Sequence, residues 1–553
     1  MTLTGARIVM ECLREQQVDT IFGYPGGKVI PLYDALYDCP DICHILTAHE
    51  QGASHAADGY ARINGKVGVC IATSGPGSTN LITGIATAYM DSSPIVAITG
   101  NVGTPWLGKD TFQEVDIIGM TMSVTKHNYQ VRRVEDLAGV VREAFEVAVS
   151  GRPGPVLIDI PVDVFFAKCE YEPVAGLPRK PVRKQPRPAA VEETLSLIAA
   201  SRRPMIYAGG GVVRSGATDE LIAFAERINA PVACSLMGLG GFPGDHPLFT
   251  GLVGMHGSKA SNMGVTNCDL LLVVGARFSD RVVGIVDHFA PGARVVHMDI
   301  DPAEVNKNIP VVQAVIGDIK MVLQALNERA SLPRQTEWMH MIEEWRAEDR
   351  ACTPEDHIAR QIMRCLRELT DEDAIIVTDV GQHQMWTAQY YTFGRRSDLI
   401  TSGGLGTMGF GLGAAIGAKV GCPARQVVHV AGDGSFRMNL NEMATTARYG
   451  IPVKTLLMDN ESLGMVRQWQ YMFNDRRLSQ TILNPVDFCR IAEGFGVRAW
   501  RLERPEDIRQ VLREALAHEG PALVQCMIDP RTMVLPMVPP NKPIDNIIMK
   551  VVE

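Results

Sequence analysis

The chain repeats itself. Near an offset of 358 residues, "GVCIATSGPGSTNL" (Gly68–Leu81) falls on "VVHVAGDGSFRMNL" (Val427–Leu440), Ala56-Ala57-x-Gly59 falls on Ala414-Ala415-x-Gly417, and Pro94 falls on Pro452. Self-similarity that runs through strand, turn and helix signals points to two related folded units, the alternative being a chance likeness of two βαβ units. The long stretch between them does not share the pattern, so it has to fold by a different plan.

Short β-rich runs alternate with helix-length amphipathic segments along the whole chain. "VDTIFGYP", "ICHILTA", "KVGVCIATS" and "PIVAITG" read as strands, and "STNLITGIATAYMDS" reads as a helix between two of them. A second series, "PMIYAGGG", "PVACSL", "LLLVVGAR" and "ARVVHMDI", follows, and the alternation resumes at "AIIVTDVGQHQ". Such alternation marks parallel sheets covered by helices. At 553 residues the chain is too long for one core. The expectation is α/β: three doubly wound parallel-sheet domains at 1–170, 190–335 and 355–553, the first and third related, the middle one a different Rossmann-like unit. The proline-rich, basic stretch Tyr171 to Glu193 cannot build a core and is expected to link the first two.

Composition excludes several classes. A net charge of −9 and a pI near 5.9 argue against nucleic acid or an anionic membrane as the main partner. No apolar run approaches bilayer-spanning length, and "MTLTGARIVMECLREQQVDT" reads as an amphipathic helix with no secretory signal. The twelve cysteines form no Cys-x-x-Cys pair, which fits free thiols in a reducing compartment. A cytoplasmic location is expected.

Two strands carry the chemistry. "QVVHVA" stops at Gly432-Asp433-Gly434 and "VKTLLM" stops at Asp459-Asn460. As neighbours in a βαβ unit, both would end on the carboxyl edge, where open α/β sheets bind ligands. Asn439 and Glu442 have the spacing of a helix-capping pair, with Arg448 in the last turn and Gly450 just beyond. One carboxylate and one amide oxygen suit Mg²⁺, which takes further oxygens from a phosphate ligand. Gly432 and Gly434 let backbone N–H groups face a diphosphate.

Gly432-Asp433-Gly434 with Asn460 resembles the cofactor motif of thiamine-diphosphate-dependent enzymes. "FGYPGG", "HEQGASHAADGYAR", "ATSGPGSTNLITG", "FQEVD", "SGRPGPVLIDIP", "GMHGSKA", "GARFSDR", "HMDIDPAE", "DVGQHQMW", "GGLGTMGFGLGAA", "LGMVRQWQ" and "PMVPP" match, in order, the acetolactate (acetohydroxyacid) synthase catalytic large-subunit family. The resemblance implies Mg²⁺ on Asp433, Asn460 and the Ser462 carbonyl. It also implies thiamine diphosphate lined by Val380, Gly381, Gln382, His383, Gly406, Gly432, Gly434, Ser435 and Met465, with Met408 as the apolar buttress that keeps the cofactor bent. Glu50, in "HEQG", matches the glutamate that hydrogen-bonds the aminopyrimidine ring, and the repeat sets Glu50 on Met408. Phe112 and Gln113 match positions near the second substrate; Met465 and Trp469 match the acceptor-site wall. The implied reaction is decarboxylation of pyruvate and transfer of its two-carbon unit to a second 2-oxoacid, giving 2-acetolactate or 2-aceto-2-hydroxybutyrate.

The resemblance further implies FAD in the middle domain, at positions matching Arg152, Gly209, Gly210, Met255, His256, Gly257, Gly275, Arg277, Asp280, Arg281, Asp299 and Asp318. It implies a homodimer or homotetramer with sites at the subunit interface and a small regulatory subunit. Four residues depart from the family pattern around the substrate channel: Lys28, Lys109, Thr111 and Val162, the last where lysine is usual. Other readings are another thiamine-diphosphate enzyme (pyruvate oxidase, 2-oxoacid decarboxylase or glyoxylate carboligase) or, from G-x-G-x-x-G within "GGLGTMG", an NAD-dependent dehydrogenase.

Overall fold

The computed structural model describes residues 1–178, 182–333, 335–352, 355–396 and 398–550. Its frame is three six-stranded sheets, each wholly parallel. The first holds β1 (Thr20–Gly23), β2 (Cys43–Leu46), β3 (Gly68–Ala72), β4 (Ile95–Asn101), β5 (His127–Gln130) and β6 (Val156–Pro161), in the order β2-β1-β3-β4-β6-β5. The second holds β7 (Pro204–Ala208), β8 (Val232–Cys234), β9 (Phe249–Leu252), β10 (Leu270–Val274), β11 (Arg294–Asp299) and β12 (Gln313–Ile316), ordered β9-β8-β7-β10-β11-β12. The third holds β13 (Ile375–Thr378), β14 (Asp398–Ile400), β15 (Val427–Gly432), β16 (Lys454–Asp459), β17 (Arg498–Leu502) and β18 (Ala522–Met527), ordered β14-β13-β15-β16-β18-β17.

The first and third sheets therefore share one strand order, and the second follows the 3-2-1-4-5-6 order of dinucleotide-binding folds. Central strands such as Val69–Ala72 and Leu270–Val274 are fully buried. That is why they read as unbroken apolar runs and not as alternating ones.

The two related units meet through their equivalent helices, α1 (Glu50–Asn64) and α2 (Gly411–Gly421), which run side by side in the same direction. A Cβ on Gly59 would stand 2.0 Å from the Ala414 carbonyl oxygen, and one on Gly417 would stand 1.8 Å from that of Ala56. The contact is reciprocal under the repeat, so the matched glycines permit backbone-to-backbone approach from both sides.

The repeat is not free of gaps. Gly68 pairs with Ile95, whereas Val428 pairs with Lys454, so β3 and β15 correspond one residue further along than the helices do.

Two other expectations need correction. Thr2–Thr4 is a strand paired with Lys168–Glu170, and the first helix spans only Gly5–Glu15. Of the linker, Arg179–Pro181 lie outside the described residues; its far end is helical, because Pro188, whose fixed φ suits a first helical turn, opens a helix that runs to Ala199.

A buried ionic cluster fastens the units together. The Arg62 guanidinium pairs with Asp58 at 2.7 Å and Asp91 at 3.1 Å and donates to the Thr401 carbonyl at 2.7 Å. Asp91 in turn accepts the Gly403 and Gly404 N–H groups, and Thr87 and Thr407 share a hydrogen bond at 2.7 Å. All twelve cysteines are free thiols. Among the described residues no helix is long and apolar enough to cross a membrane.

Candidate active site

In both related sheets the strand order reverses between the first and third strands of the unit, and that crevice is where such folds take ligands. In the third unit it lies between the ends of β13 and β15. β13 runs out into Asp379, Val380, Gly381, Gln382 and His383; β15 runs out into Gly432 and Asp433. The adjoining strand β16 delivers Asp459 and Asn460 beside them.

These residues form one connected group. Asn460 Nδ2 donates to Gln382 Oε1 at 2.9 Å, and the Ser462 hydroxyl donates to Asn460 Oδ1 at 3.0 Å. Gln382 Nε2 passes the network to Gln468 Oε1 at 2.9 Å and to the Thr532 carbonyl. Glu461 has φ +50, which turns the chain sharply after Asn460. Ser462 then bridges to Ile482 through bonds made by Leu463 and Leu483, which leave the Ser462 carbonyl out of the ladder.

The Asp433 carboxyl is 1% exposed, and its Oδ2 has no hydrogen-bond partner. Burial and the neighbouring Asp459 charge push it up to about 7, against the pull of Arg437 and the Asn460 and Gly434 N–H groups. The Arg437 guanidinium stands 3.9 Å from that oxygen, too far for a hydrogen bond, and a buried carboxyl oxygen left so needs an explanation that a closer cation supplies. Among the described residues no cluster of three His, Cys, Asp or Glu side chains forms a metal cage. The available donors are one carboxylate, one amide oxygen and one carbonyl, a set that suits a hard cation sharing a phosphate ligand.

The walls are narrow. A Cβ on Gly432 would meet His383 Nδ1 at 2.6 Å, and Gly381 has φ +154, which glycine alone takes up readily. His383 Nε2 is buried without a partner, and burial lowers that imidazole to about 4. Ser435 Oγ accepts the Gly409 N–H at 3.0 Å, tying the Gly406–Met408 loop to the helix start after β15. Met465 and Trp469 lie half-buried on α3 (Gly464–Phe473), and the Arg281 guanidinium sits 6.0 Å over the Trp469 ring.

Glu50 stands apart from this group. It opens α1 and accepts Asn80 Nδ2 at 3.0 Å. Gly77 makes room for it, since a Cβ there would come within 3.2 Å of Glu50 Oε1. Gln113 (φ +60) crosses directly over Gly75, while the neighbouring Phe112 is 83% exposed. Lys28 is half-buried, Lys109 lies 5.6 Å over the Trp106 ring, and Val162 follows β6. Among the described residues no hydrogen bond joins Glu50 to the Asp433 group.

The middle sheet reverses between β7 and β10. Gly209 and Gly275, at those two strand ends, approach so closely that a Cβ on Gly209 would meet the Gly275 carbonyl at 2.4 Å. Gly210 starts the helix after β7, and Asp299 ends β11, where burial raises its carboxyl. Met255, His256 and Gly257 follow β9; His256 Nδ1 is buried and unpartnered. Arg277 Nη2 donates to the Met90 carbonyl at 2.9 Å, and Asp280 and Arg281 are exposed. Arg152 pairs with Glu304 at 2.8 Å and Ser92 at 2.8 Å, and Asp318 caps its own helix while pairing with Arg183.

The capping pair expected at Asn439 and Glu442 does not form. Asn439 Nδ2 donates to the Gly409 carbonyl at 2.9 Å, and the Glu442 carboxylate turns outward to the other unit. Local spacing offered a cap, but the part-buried N–H groups of Ala48 and His49 ahead of α1 made the stronger claim. Gly450, with φ +59, does end the helix as expected.

Reading residues singly missed Asn80 and Gln468 and gave Glu442 the wrong partner. Asn80 alone carried a signal, because the repeated stretches align it with Asn439.

Fold and crevice define the class: a two-unit diphosphate-cofactor enzyme with a dinucleotide-type domain inserted between. Family models agree along the chain. Residues 3–120 match the thiamine pyrophosphate enzyme N-terminal TPP binding domain, 191–326 its central domain, and 379–526 its C-terminal TPP binding domain. The chain is 45% identical to a probable acetolactate synthase large subunit of Methanocaldococcus jannaschii, over 99% of this chain and 96% of that one. It is 47% identical to the acetolactate synthase isozyme 2 large subunit of Escherichia coli, over 98% of each chain. It is also 47% identical to the large subunit of Parasynechococcus marenigrum, over 98% of this chain and 90% of that one. The chain belongs to the acetolactate synthase large subunits, a family of thiamine-diphosphate-dependent enzymes.

Proposed function

We propose that Glu50 and the Asp433–Asn460–Ser462 group serve opposite ends of one thiamine diphosphate. The chain would then join pyruvate to a second 2-oxoacid, giving 2-acetolactate or 2-aceto-2-hydroxybutyrate for branched-chain amino acid formation. The observation that carries this reading is the buried Asp433 oxygen, which takes no hydrogen bond and has only the Arg437 guanidinium at 3.9 Å, beside Asn460 at a strand-order reversal.

Asp433, Asn460 and the Ser462 carbonyl hold Mg²⁺. Val380, Gly381, Gln382, His383, Gly434 and Ser435 line the diphosphate, and Met408 and Met465 border the rings. The bound cofactor supplies an electron sink for the carbon–carbon bond that breaks in pyruvate. Glu50 accepts and returns a proton at its carboxyl oxygen. Gln113 and Phe112 meet the second substrate from one side, Trp469 from the other. A Met/Trp wall there prefers a larger acceptor by contact area, and one methylene is worth about 1–3 kcal/mol.

As the family resemblance implies, one site takes Glu50 from one subunit and Asp433 from another. The assembly is a homodimer or homotetramer, and the relatives' title of large subunit supports a small partner subunit. FAD occupies the β7/β10 crevice, with Gly209, Gly210, Gly275 and Asp299 at the strand ends. The G-x-G-x-x-G at Gly404–Gly409 follows the edge strand β14, not a switch-point strand, so nothing favours a dehydrogenase.

The test is product analysis after incubation with pyruvate, thiamine diphosphate and Mg²⁺. Acetolactate supports this reading; acetaldehyde points to a decarboxylase, and acetate or acetyl phosphate to an oxidase. A yellow purified protein reports the flavin.

A further inference from the structure

Glu442 is the most enclosed carboxylate facing α1. It is 0% exposed, and its Oε1 accepts the Ala48 N–H at 3.1 Å and the His49 N–H at 3.0 Å. Oε2 shares the Ala48 N–H and accepts the Thr445 hydroxyl at 2.7 Å. The surroundings are shaped to it: a Cβ on Gly52 would lie 2.0 Å from Glu442 Oε1, so only glycine leaves the carboxylate its place. His49 is the N-cap of α1, and Glu50 is its first residue. The N–H groups that precede a helix have no partner of their own, and a carboxylate there is favoured by the helix dipole. Among the described residues no basic side chain pairs with Glu442, so these hydrogen bonds are what hold a costly buried charge.

We propose that Glu442 is a positioning residue: it fixes the backbone of Ala48 and His49, and through it the direction in which Glu50 leaves α1. The proposal rests on the assignment of Glu50 to the cofactor ring. It adds that the third unit of each chain sets the catalytic glutamate of the first unit of the same chain. Glu442 and Asp433 lie on the same β15–β16 connection. A subunit's grip on its own diphosphate site is thereby joined mechanically to the glutamate it lends to the neighbouring site.

The experiment compares Glu442→Ala, Glu442→Gln and Glu50→Gln in the holoenzyme, alone and combined. The readouts are kcat and KM for pyruvate, together with thiamine diphosphate affinity by intrinsic fluorescence quenching in the presence of Mg²⁺ and the absence of pyruvate. A misplacement of about 1 Å costs about 100-fold in rate. Glu442→Ala should therefore lose on that order in kcat, with KM changed less than about threefold. Glutamine keeps an acceptor oxygen for both N–H groups and can turn its amide to the Thr445 hydroxyl, so Glu442→Gln should restore most of the loss. Adding Glu442→Ala to Glu50→Gln should cost little more, because the group being positioned is already gone. Amide hydrogen exchange at residues 48 and 49 should accelerate in Glu442→Ala and not in Glu442→Gln.

Full activity in Glu442→Ala, a glutamine variant as poor as alanine, or losses that multiply in the double variant would each overturn the proposal. If the alanine variant does not fold, Glu442→Asp, which withdraws the oxygens by one methylene, takes its place with the same expected pattern. Failure of both to fold also counts against it. Should Glu50→Gln itself keep full activity, the assignment of Glu50 has failed, and the exchange data still judge the brace separately.

Discussion

Gly417→Ala adds a single methyl to α2, yet the structure gives it no room. The new Cβ would stand 1.8 Å from the Ala56 carbonyl oxygen, far inside the 3.4 Å at which ordinary contact begins. The obstacle is backbone inside a helix, so relief requires α1 and α2 to separate along the seam that joins the two related units. Overpacking of this kind costs about 1–3 kcal/mol, and a rigid obstacle puts it at the upper end. Alanine's better helix propensity returns about 1 kcal/mol. A net loss of about 2 kcal/mol should lower the melting temperature of a unit this size by roughly 4–8 °C.

The matched comparison is Gly139→Ala, inside the helix Val134–Val149, where nothing lies within 4 Å of the new methyl. That variant should gain about 0.5–1 kcal/mol. Gly59→Ala should behave like Gly417→Ala, and the double variant should cost less than the sum, because one separation accommodates both methyls. The assay is thermal unfolding followed by circular dichroism, with thiamine diphosphate affinity as a second reading. If Gly417→Ala melts at or above the parent while Gly139→Ala gains as expected, the account of the seam is wrong.

Further expectations follow the same geometry. Replacing Arg62 by Met strands two buried carboxylates, Asp58 and Asp91, and should cost about 3–5 kcal/mol, read as a loss of melting temperature. His55 is fully enclosed against Phe410, and burial lowers its imidazole to about 4. The unfolded chain then binds more protons between about pH 6.5 and pH 4, so stability is lost as pH falls through that window at up to about 1.4 kcal/mol per unit. Urea unfolding should show a shallower acid loss in His55→Gln. Removing divalent cations with a chelator should abolish thiamine diphosphate binding while leaving secondary structure intact, and Mg²⁺ should restore it. Lys28→Ala or Lys109→Ala should raise the KM for pyruvate with kcat retained if either lysine supplies the positive charge that Val162 cannot; unchanged kinetics in both would refute that role.

Much of the frame was legible because it rests on local signals. Apolar runs such as Leu270–Val274 mark strands buried on both faces, and the offset repeat marks two units of one topology. Asp433 and Asn460 were legible because strand ends and sheet order place them together without long-range detail. Glu442 was misread because spacing reports only what a side chain can reach along its own helix. Its true partners, Ala48 and His49, lie almost four hundred residues earlier, and no local pattern encodes them. The one-residue gap between helix and strand correspondence is written in the numbering itself, since Gly68 falls on Val427 at an offset of 359 while Ala56 falls on Ala414 at 358. Strand register shows the same slip in the Gly68–Ile95 and Val428–Lys454 pairs.

The reciprocal glycine seam has a consequence for how such a sequence can drift. Each half forbids the other a side chain at the matched position, so neither duplicate is free to vary there alone, however far the two diverge elsewhere. The oldest trace of the doubling should therefore persist longest where the copies touch, well away from the chemistry they came to share.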